Sequence, residues 1–406
     1  MNGPSEPGPN SGLAARSHLD PIEILPIAPR SDGMEAFIRL PWSIYHGHRA
    51  WVPPLIRDVR LMMDPERHPF HRHSEVQAFL ALRDGRPVGR IAAIHNRRHV
   101  AFHEEKVGFF GFYECERDEA ASAGLLDAAA EWLSEQGLEA MRGPTSFSTN
   151  EEAGLLVEGF DDPPAVMMAY NPPYYERQFE AYGLSPSKTL LAYYVHASEP
   201  PEYLVRVAAI VERRTGVKVR QLRMRDFDAE LEIVRDIYNA AWRRNWGFVP
   251  MTEEEIRHMA RELKPVVDPR LTLIGEDPDG RPVGFALALP DFNQVLRRLN
   301  GRLFPFGLLK ALWLRRRIDS LRVLTLGVLE EYRGKGLDAL FYLGIFRGGN
   351  SQGINQGEFS WVLEDNVMMR RPLERMGARV HKRYRIYDVS LRASRSESTP
   401  GFDPRR

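Results

Sequence analysis

Short apolar runs alternate with amphipathic, helix-forming stretches along most of this chain. From residue 21 to residue 392 the predicted order is strand, helices, hairpin, strand, helix, strand, helix, strand, and this order occurs twice. The last helix of each repeat ends at a glycine, Gly183 or Gly377, and an apolar strand follows it. Glycine is favoured there because it adopts the left-handed conformation that ends a helix. Strands and helices that alternate in this way predict an α/β fold.

A repeated hexapeptide supports an internal duplication. Asp84–Gly89 recurs letter for letter as Asp279–Gly284, and each copy lies between apolar runs, which predicts a hairpin with Asp-Gly at its turn. The two copies and the two helix-ending glycines share an offset of about 195 positions. We therefore predict an N-terminal domain at 21–198 and a C-terminal domain at 199–392. Residues 1–20 and 393–406 are rich in Pro, Gly, Ser or Arg and are predicted to be disordered tails.

One strand-to-helix turn in the second repeat has the composition of an anion site. The apolar run Leu324–Leu329 leads through two acids into Arg333-Gly334-Lys335-Gly336, and a helix-forming run starts at Leu337. The first backbone N–H groups of a helix are unpaired and lie at the positive end of its dipole, so they favour phosphate. The spacing fits neither a Walker loop nor a dinucleotide fingerprint. A basic turn without a ligand remains the alternative.

This segment resembles the acyl-CoA pyrophosphate loop of the GNAT acyltransferase superfamily, whose pattern is Arg/Gln-x-x-Gly-x-Gly/Ala. Arg333 and Gly336 match, whereas Asp338 stands where the family has a small residue. Both repeats have the GNAT order of strands and helices, so the resemblance covers most of the chain. It implies two tandem GNAT-like domains with mixed sheets and flanking helices, and acyl-CoA as a co-substrate with no permanently bound cofactor. The chain is similar to a bacterial group of two-unit GNAT-like proteins that includes the bacterial ceramide synthases.

The resemblance also implies roles around the loop. In GNAT-like enzymes two strands diverge to hold the pantetheine, and backbone N–H groups of the first, here around Gly327 and Val328, polarise the thioester carbonyl. Asn366 matches an asparagine that contacts the cofactor, although it is equally suited to cap the helix that follows.

The general base and general acid are less clearly marked. Glu330 and Glu364 are the candidate bases by position, with solvated surface acids as the alternative. The place of the usual acidic tyrosine is occupied by Leu373. Either another tyrosine serves, or the thiolate leaves unassisted.

The first repeat differs chemically from the second. In place of the glycine loop it has Glu114–Glu119, with four acids and no glycine, which predicts that it cannot hold a pyrophosphate. We expect the N-terminal half to shape the acceptor pocket instead. A long polar segment at 146–175 suits a structured loop, with ordinary turn chemistry as the alternative. It supplies the candidate substrate-binding residues Asn150, Glu151, Tyr170, Asn171 and Tyr174.

Composition excludes several classes of function. Lysine plus arginine equals aspartate plus glutamate, so no net charge points to nucleic acid. The single cysteine, Cys115, and the lack of a signal peptide or a spanning apolar run predict a cytoplasmic protein. Five histidines lack the partnered acid or cysteine pattern of a metal site, so no metal is predicted; they are His46, His48, His68, His71 and His73.

The segment 295–317 is an unusual insertion before the loop strand. It combines leucine, phenylalanine and tryptophan with seven basic residues and no acid. Such segments are typical of a membrane interface, here the inner face of an anionic membrane; a helix pair with its arginines in water is the alternative.

The sequence and the resemblance together indicate an N-acyltransferase that moves an acyl group from acyl-CoA, or an acyl carrier protein thioester, to an amine. The resemblance implies a long-chain, sphingoid-type amine. An acetyltransferase for a small soluble amine and a non-catalytic lipid- or CoA-binding protein remain the alternatives.

Overall fold

The computed structural model of the protein describes residues 21–391, and the two predicted tails lie outside this range. Within it there are fifteen strands: β1 (Glu23–Ile27), β2 (Ser74–Arg83), β3 (Arg86–Asn96), β4 (Val107–Cys115), β5 (Ala140–Gly143), β6 (Thr145–Ser146), β7 (Glu152–Ala153), β8 (Leu155–Glu158), β9 (Ser185–His196), β10 (Lys218–Gln221), β11 (Thr272–Glu276), β12 (Pro282–Pro290), β13 (Ser320–Val328), β14 (Gln356–Leu363) and β15 (Arg379–Ser390).

The same range contains thirteen α-helices: α1 (Asp32–Arg39), α2 (Pro41–Ile44), α3 (Ile56–Met62), α4 (Arg97–His103), α5 (Glu119–Glu135), α6 (Tyr174–Tyr182), α7 (Glu202–Thr215), α8 (Phe227–Trp242), α9 (Glu253–Leu263), α10 (Asn293–Leu299), α11 (Gly307–Leu314), α12 (Leu337–Asn350) and α13 (Val367–Arg375). Four short 3-10 turns complete the described elements, at Pro69–Arg72, Met224–Asp226, Arg315–Arg317 and Glu330–Tyr332.

Thirteen of the described strands form one mixed sheet that runs through both halves. Its order is β1-β2-β3-β4-β5-β15-β9-β14-β13-β12-β11-β10, and β8 pairs with β15 beside β5. Two pairs are parallel, β4 with β5 and β13 with β14, one in each half. The remaining pairs are antiparallel, so the sheet is mixed as predicted.

The last strands of the two repeats are exchanged across the middle of this sheet. β9 ends the first repeat but pairs with β14 of the second, from Gln356–His196 to Leu363–Leu190. β15 ends the second repeat but pairs with β5 of the first. β9 and β15 also pair with each other over most of their length. Each half is therefore completed by a strand from the other.

Helices cover both faces of the sheet because adjacent strand residues point to opposite sides. In the N-terminal half, Phe110 packs with α5 and α6, whereas its neighbour Phe109 packs with α1 and α3. In the C-terminal half, Leu273 packs with α7 and α12, whereas Ile274 packs with α8. The result is a layered α/β structure in both halves.

Local predictions from the repeats are confirmed, with one difference between the two hairpins. Gly183 and Gly377 end α6 and α13 in the left-handed conformation, and a strand follows each. The first hexapeptide forms a two-residue turn in which Asp84 and Gly85 both have positive φ. The second forms a longer turn, because the side chain of Asp277 accepts the backbone N–H groups of residues 279 and 281.

The strand exchange predicts that a residue near the C-terminus stabilises the N-terminal half. Tyr387 of β15 is fully buried, packs on Phe179 of α6, and donates a hydrogen bond to Glu176. We expect Tyr387→Ala to lower the free energy of unfolding by about 3–5 kcal/mol, the usual cost of deleting a buried aromatic side chain. Urea denaturation measures the loss, and hydrogen exchange shows where protection falls.

The half-buried Tyr203 of α7 supplies the control, and Tyr203→Ala should cost less than about 1 kcal/mol. If Tyr387→Ala lowers hydrogen-exchange protection in α12 but not in α5, then β15 does not stabilise the N-terminal half as assigned.

Candidate active site

The predicted phosphate loop has the backbone of an anion cradle. Gly334 and Gly336 both have positive φ, and α12 starts directly after them at Leu337. Among the described residues, the N–H groups of Gly334, Gly336 and Leu337 have no hydrogen-bond partner. A side chain on Gly334 would extend into open space, whereas one on Gly336 would lie 3.1 Å from Val211 of α7. The cradle is therefore open on one side and supported by α7 on the other.

The basic side chains of the loop are exposed, but each already has a partner. Arg333 donates to the carbonyl of Ala241 in α8, and the Lys335 ammonium lies 4.5 Å from the Tyr332 ring. Asp338, the departure from the family pattern, is half-buried in the first turn of α12, and burial raises the pKa of its carboxyl.

A fork opens in the sheet next to this loop. β13 and β14 pair only from Ser320–Gln356 to Val323–Phe359, and beyond Val323 the two strands diverge. On the other edge of β13 the register with β12 shifts between Val323 and Thr325, so Leu324 is a β-bulge. A bulged residue leaves the ladder and re-aims its backbone groups. The bulge lies at the base of the fork.

Trp242 of α8 packs over the outer part of the fork. A Cβ atom on Gly327 would lie 2.2 Å from Cζ3 of Trp242, so glycine is required at this point of β13. Gly327 and Val328 pair with β12 opposite Phe285 and Gly284. Because both residues are paired with β12, their role in polarising a thioester carbonyl stays a prediction. The bulge at Leu324 is a second candidate position for backbone groups that polarise this carbonyl.

Two mainly apolar cavities lie beyond the fork. One, of about 280 Å³, is bounded by β13, β14, α8 and α9 and is called the fork cavity here. The other, of about 430 Å³, lies in the N-terminal half and is called the inner cavity. Six residues line both, so the cavities adjoin: Glu151, Ala153, Met167, Met251, Met259 and Leu263.

The fork cavity has polar groups on its wall that have no protein partner. Oγ1 of Thr325 and Nε1 of Trp361 are buried without a hydrogen-bond partner in the described part of the chain. Unpaired buried polar groups are costly, so these two atoms are a source of strain at this wall. Arg322 lies behind them and donates to Ser360 of β14 and to the carbonyl of Val166. It thereby fixes the loop of the N-terminal half against the fork.

Glu151 is the acid at the boundary of the two cavities. Its side chain is half-buried, and desolvation raises the pKa of its carboxyl to about 8, partly offset by a hydrogen bond from Ser148. A carboxyl with such a pKa can take up a proton near neutral pH, as a general base requires.

The other predicted substrate-binding residues are only partly brought together. Asn150 lines the fork cavity and accepts a hydrogen bond from Tyr238 at 2.7 Å. Tyr170 and Asn171 line the inner cavity, but the Asn171 amide is engaged with both backbone groups of Leu156. Tyr174 lines neither cavity.

The predicted bases and the predicted cofactor asparagine lie away from the cavities. Glu330 and Glu364 are exposed and form ion pairs with Arg244 and Arg383, at 2.9 and 2.7 Å. Neither lines the fork cavity or the inner cavity. Asn366 caps α13 by accepting the N–H of residue 369, which is the structural role weighed against its cofactor contact. The assignments of all three remain untested predictions.

Leu373, at the place of the usual tyrosine, is fully buried in the core. Among the described residues lining the fork cavity, the tyrosine is Tyr238.

In the N-terminal half the corresponding loop is filled by its own acids. The Asp118 side chain caps α5 by accepting the N–H of Ala121, and Asp118 pairs with Arg83 at 2.6 Å. Glu116 pairs with Arg86. The helix N-terminus is therefore already occupied by carboxylate, which supports the interpretation that this half holds no pyrophosphate.

Several residues of the site were not singled out from the sequence. Trp242, Tyr238 and Trp361 resembled ordinary core aromatics. Arg90 and Arg322 could have been found from the sequence, because each is a charged residue inside an otherwise apolar strand. Glu152 follows Glu151 directly, yet only the fold shows that it also lines the inner cavity.

The histidines form aromatic contacts. His68 and His258 lie on the wall of the inner cavity with ring centroids 4.7 Å apart. Within residues 21–391, no group of three or more His, Cys, Asp or Glu side chains is arranged to hold a metal ion.

Comparison with solved structures shows the class of fold. A tandem GNAT protein from the clavulanic acid biosynthesis pathway superimposes with a TM-score of 0.54 and 12% identity, covering 91% of this chain and 98% of that one. A GCN5-related N-acetyltransferase from Sphaerobacter thermophilus gives 0.50 and 17% identity, covering 94% and 97%. The protein has the tandem GNAT fold, as predicted.

Sequence relatives then show the family. The bacterial ceramide synthase of Caulobacter vibrioides (strain NA1000 / CB15N) is 36% identical over 383 residues, which are 91% of this chain and 98% of that protein. Protein YghO of Escherichia coli K12 is 34% identical over 365 residues, 88% of this chain and 93% of that protein. No family model matches the sequence. The chain belongs to the bacterial ceramide synthase family of tandem GNAT proteins and is an acyltransferase.

The cradle geometry gives a direct test of donor binding. We expect Gly336→Glu to lower CoA affinity by at least 100-fold, because it adds a negative charge and bulk where the unpaired N–H groups converge. Calorimetry with CoA measures the change.

Gly85→Glu is the control, since Gly85 also has positive φ but lies at the first hairpin, where a side chain would meet open space. Equal CoA affinity in the folded Gly336→Glu and Gly85→Glu proteins would refute the donor-site assignment.

Proposed function

We propose that the protein transfers an acyl group from acyl-CoA, or an acyl carrier protein thioester, to the nitrogen of a long-chain amine. The observation that carries the proposal is the position of Glu151 between two adjoining apolar cavities, one of which begins at the fork. The thioester would enter between β13 and β14 with its phosphates on the cradle at Gly334 and Gly336. The acceptor would approach from the inner cavity.

The reaction requires one proton acceptor and one group that stabilises negative charge. The amine nitrogen attacks the thioester carbonyl carbon, the C–N bond forms, and the C–S bond breaks with release of a thiolate, which then takes a proton from water. Glu151 takes the proton that the nitrogen loses, and a backbone N–H at the Leu324 bulge would stabilise the oxyanion. The largely apolar walls exclude water, which would otherwise hydrolyse the thioester.

The inner cavity supports a long-chain acceptor rather than a small soluble one. Its walls include Trp51, Val52, Met62 and Met168, which suit an alkyl chain better than a polar substrate. Each buried methylene contributes about 0.8 kcal/mol, so the chain would supply much of the binding free energy. The Caulobacter relative is a bacterial ceramide synthase, which agrees with a sphingoid-type amine as the acceptor here.

The insertion at 295–317 supports contact with a membrane. α10 is anchored by buried Val295 and Leu299, whereas α11 has no buried residue. Phe304, Phe306 and Leu309 are 79%, 74% and 67% exposed. Exposed apolar side chains of this size, next to exposed arginines, are typical of an interfacial helix.

The insertion also lies beside the inner cavity. Asn293 and Leu296 of α10 line that cavity. The turn after α10 is fixed to the N-terminal half by a 2.9 Å hydrogen bond from Trp42 to Asn300. A lipid amine held in a bilayer would thus meet the protein near the cavity that accepts it. No helix among the described residues is long and apolar enough to span a membrane.

Replacing the base should change both the rate and its pH dependence. Because the carboxylate form of Glu151 accepts the proton and its pKa is about 8, wild-type kcat/KM should rise with pH and level off above about 8. We expect Glu151→Gln to lower kcat by about 100-fold or more and to remove this rise. Thiol release from acyl-CoA with a long-chain amine measures both.

Glu330→Gln and Glu364→Gln belong in the same assay, since these are the bases predicted from position. If Glu330→Gln or Glu364→Gln lowers kcat while Glu151→Gln keeps a kcat near that of the wild type, the general base is that surface acid and not Glu151. Absence of thioester turnover by the wild type with any amine would favour a binding protein instead.

Removing basic charge from the insertion should weaken membrane binding. Each exposed arginine near an anionic surface contributes on the order of 1 kcal/mol. We expect replacement of Arg315, Arg316 and Arg317 by Gln to lower affinity for anionic vesicles at least tenfold. Wild-type binding should fall with salt, since exposed charges are screened over about 8 Å at physiological ionic strength. Vesicle flotation measures both effects.

A matched control removes three exposed arginines elsewhere, Arg177, Arg206 and Arg225. If the wild type fails to float with anionic vesicles at low salt, the insertion is a surface helix in water and a soluble acceptor becomes the better proposal.

A further inference from the structure

The fork cavity follows one face of α8 and one face of α9. From α8 it is lined by residues that recur every three or four positions: Leu231, Val234, Tyr238 and Trp242. The helix rises by about 16 Å from the first of these to the last, at 1.5 Å per residue. α9 contributes a second stripe with helical spacing: Ile256, Met259, Ala260 and Leu263. A cavity of about 280 Å³ along this length is narrow enough to hold a single alkyl chain.

The two ends of the fork cavity differ in polarity. At one end, Leu324 and Thr325 of β13 and Trp242 of α8 place it beside the fork. At the other end it adjoins a surface groove of about 580 Å³ between α8, α9 and the turn at 67–72. Most of the residues that line this groove are charged, among them Arg67, Arg72, Asp228, Glu232, Arg257 and Arg261. An alkyl chain that reached the groove would therefore leave its apolar surroundings.

Four residues lie at the boundary between the fork cavity and the groove, because they line both: Leu231, Arg235, Ile256 and Ala260. Ile256 and Ala260 are one turn apart on α9 and are buried, whereas Leu231 of α8 is half-buried. The Arg235 guanidinium lies 2.8 Å from the carboxylate of Asp236, so the charged surface begins at this boundary. The three apolar residues Leu231, Ile256 and Ala260 are called the end wall here.

The acyl chain of the donor is the part of the substrates that suits this cavity. In the proposed function the thioester carbonyl lies at the Leu324 bulge, and the amine arrives from the inner cavity. The carbons beyond the carbonyl would then continue along α8 toward the end wall. The two long chains would thus occupy separate cavities that adjoin at Glu151.

We propose that the acyl chain lies along α8 with its methyl end at Leu231, Ile256 and Ala260, and that this end wall sets the longest acyl chain that the enzyme uses efficiently. The proposal rests on the proposed function and assigns the residues that determine the length of its donor. Each methylene inside the cavity is removed from water, whereas a methylene beyond the end wall enters the charged groove and gains little. The end wall thus selects the donor without touching the reacting atoms.

The test is an acyl-chain profile, which is kcat/KM for saturated acyl-CoAs from medium to very long chains with one long-chain amine. We expect the wild-type value to rise about fourfold per added methylene and to level off once the chain reaches the end wall. Ala260→Phe fills the end of the cavity, so it should move this plateau to shorter chains and lower kcat/KM for the longest chains at least tenfold. Leu231→Ala opens the end wall and should move the plateau to longer chains.

Two further variants show whether the effect belongs to this cavity. Ala209→Phe adds the same side chain at an exposed position of α7 that lines neither cavity, and it should keep the wild-type profile. Met62→Trp narrows the inner cavity and should change the dependence on amine length instead.

Acyl-CoA affinity without amine gives a readout that does not depend on turnover. Quenching of tryptophan fluorescence measures it, because three tryptophans line the fork cavity: Trp242, Trp246 and Trp361. We expect the affinity profile of each end-wall variant to shift in the same direction as its kcat/KM profile. If Ala260→Phe does not fold, Leu231→Ala decides the matter, because it only removes atoms from a half-buried position.

The outcomes separate the end wall from the proposed function. If the folded end-wall variants keep the wild-type profile in both turnover and affinity, the end wall is refuted while acyl transfer stands. If Met62→Trp shifts the acyl profile and the end-wall variants shift the amine profile, the two chains lie in the opposite cavities and the proposal is also refuted. If the wild type acylates no amine but the end-wall variants shift the acyl-CoA affinity profile, the end wall is supported and the proposed chemistry fails.

Discussion

The pairing of β9 with β15 is the interaction on which the rest of the structure depends. Each of these strands ends one sequence repeat and is built into the other half, so neither half has a complete sheet alone. The exchange brings the polar loop at 146–172 of the first half against the fork of the second. Arg322 secures that contact through the carbonyl of Val166. Without this strand exchange, Glu151 would not lie beside the fork.

The two halves share a topology but have diverged in chemistry at one turn. In the C-terminal half, two left-handed glycines leave backbone N–H groups free at the start of α12. In the N-terminal half, Asp118 satisfies the start of α5 with its own carboxylate. Both turns lie after a strand that forms a short parallel pair. In the proposed function, the duplicated fold thus supplies one donor site and leaves the other half to enclose the acceptor.

Burial gives the acidic residues of the site their chemical character. Glu151 is withdrawn from bulk water, and the free energy of charging it rises until its pKa approaches 8. Glu330 and Glu364 carry the same type of side chain, but they are exposed and paired with arginines. The same residue type is therefore suited to proton transfer in one place and to surface ion pairing in the others.

The sequence alone determined what depends on neighbours along the chain. The hexapeptide turns, the glycine-ended helices, the duplication and the glycine loop before α12 were all readable, because turn and cap chemistry is local. The resemblance in Arg333 to Gly336 extended this to the GNAT fold and the acyltransferase class. An arginine within an apolar strand, as at Arg90 and Arg322, marked positions that needed an explanation.

Only the tertiary structure decided which strands pair and which side chains share a cavity. The period-2 pattern of β9 and β15 specifies that each is a buried strand, but it does not name the partner, so the exchange could not be read from it. The positions of Glu151 and Glu152 in the cavity follow from that long-range pairing. The exposure of Glu330 and Glu364 has the same origin, because burial is set by residues far away in the sequence.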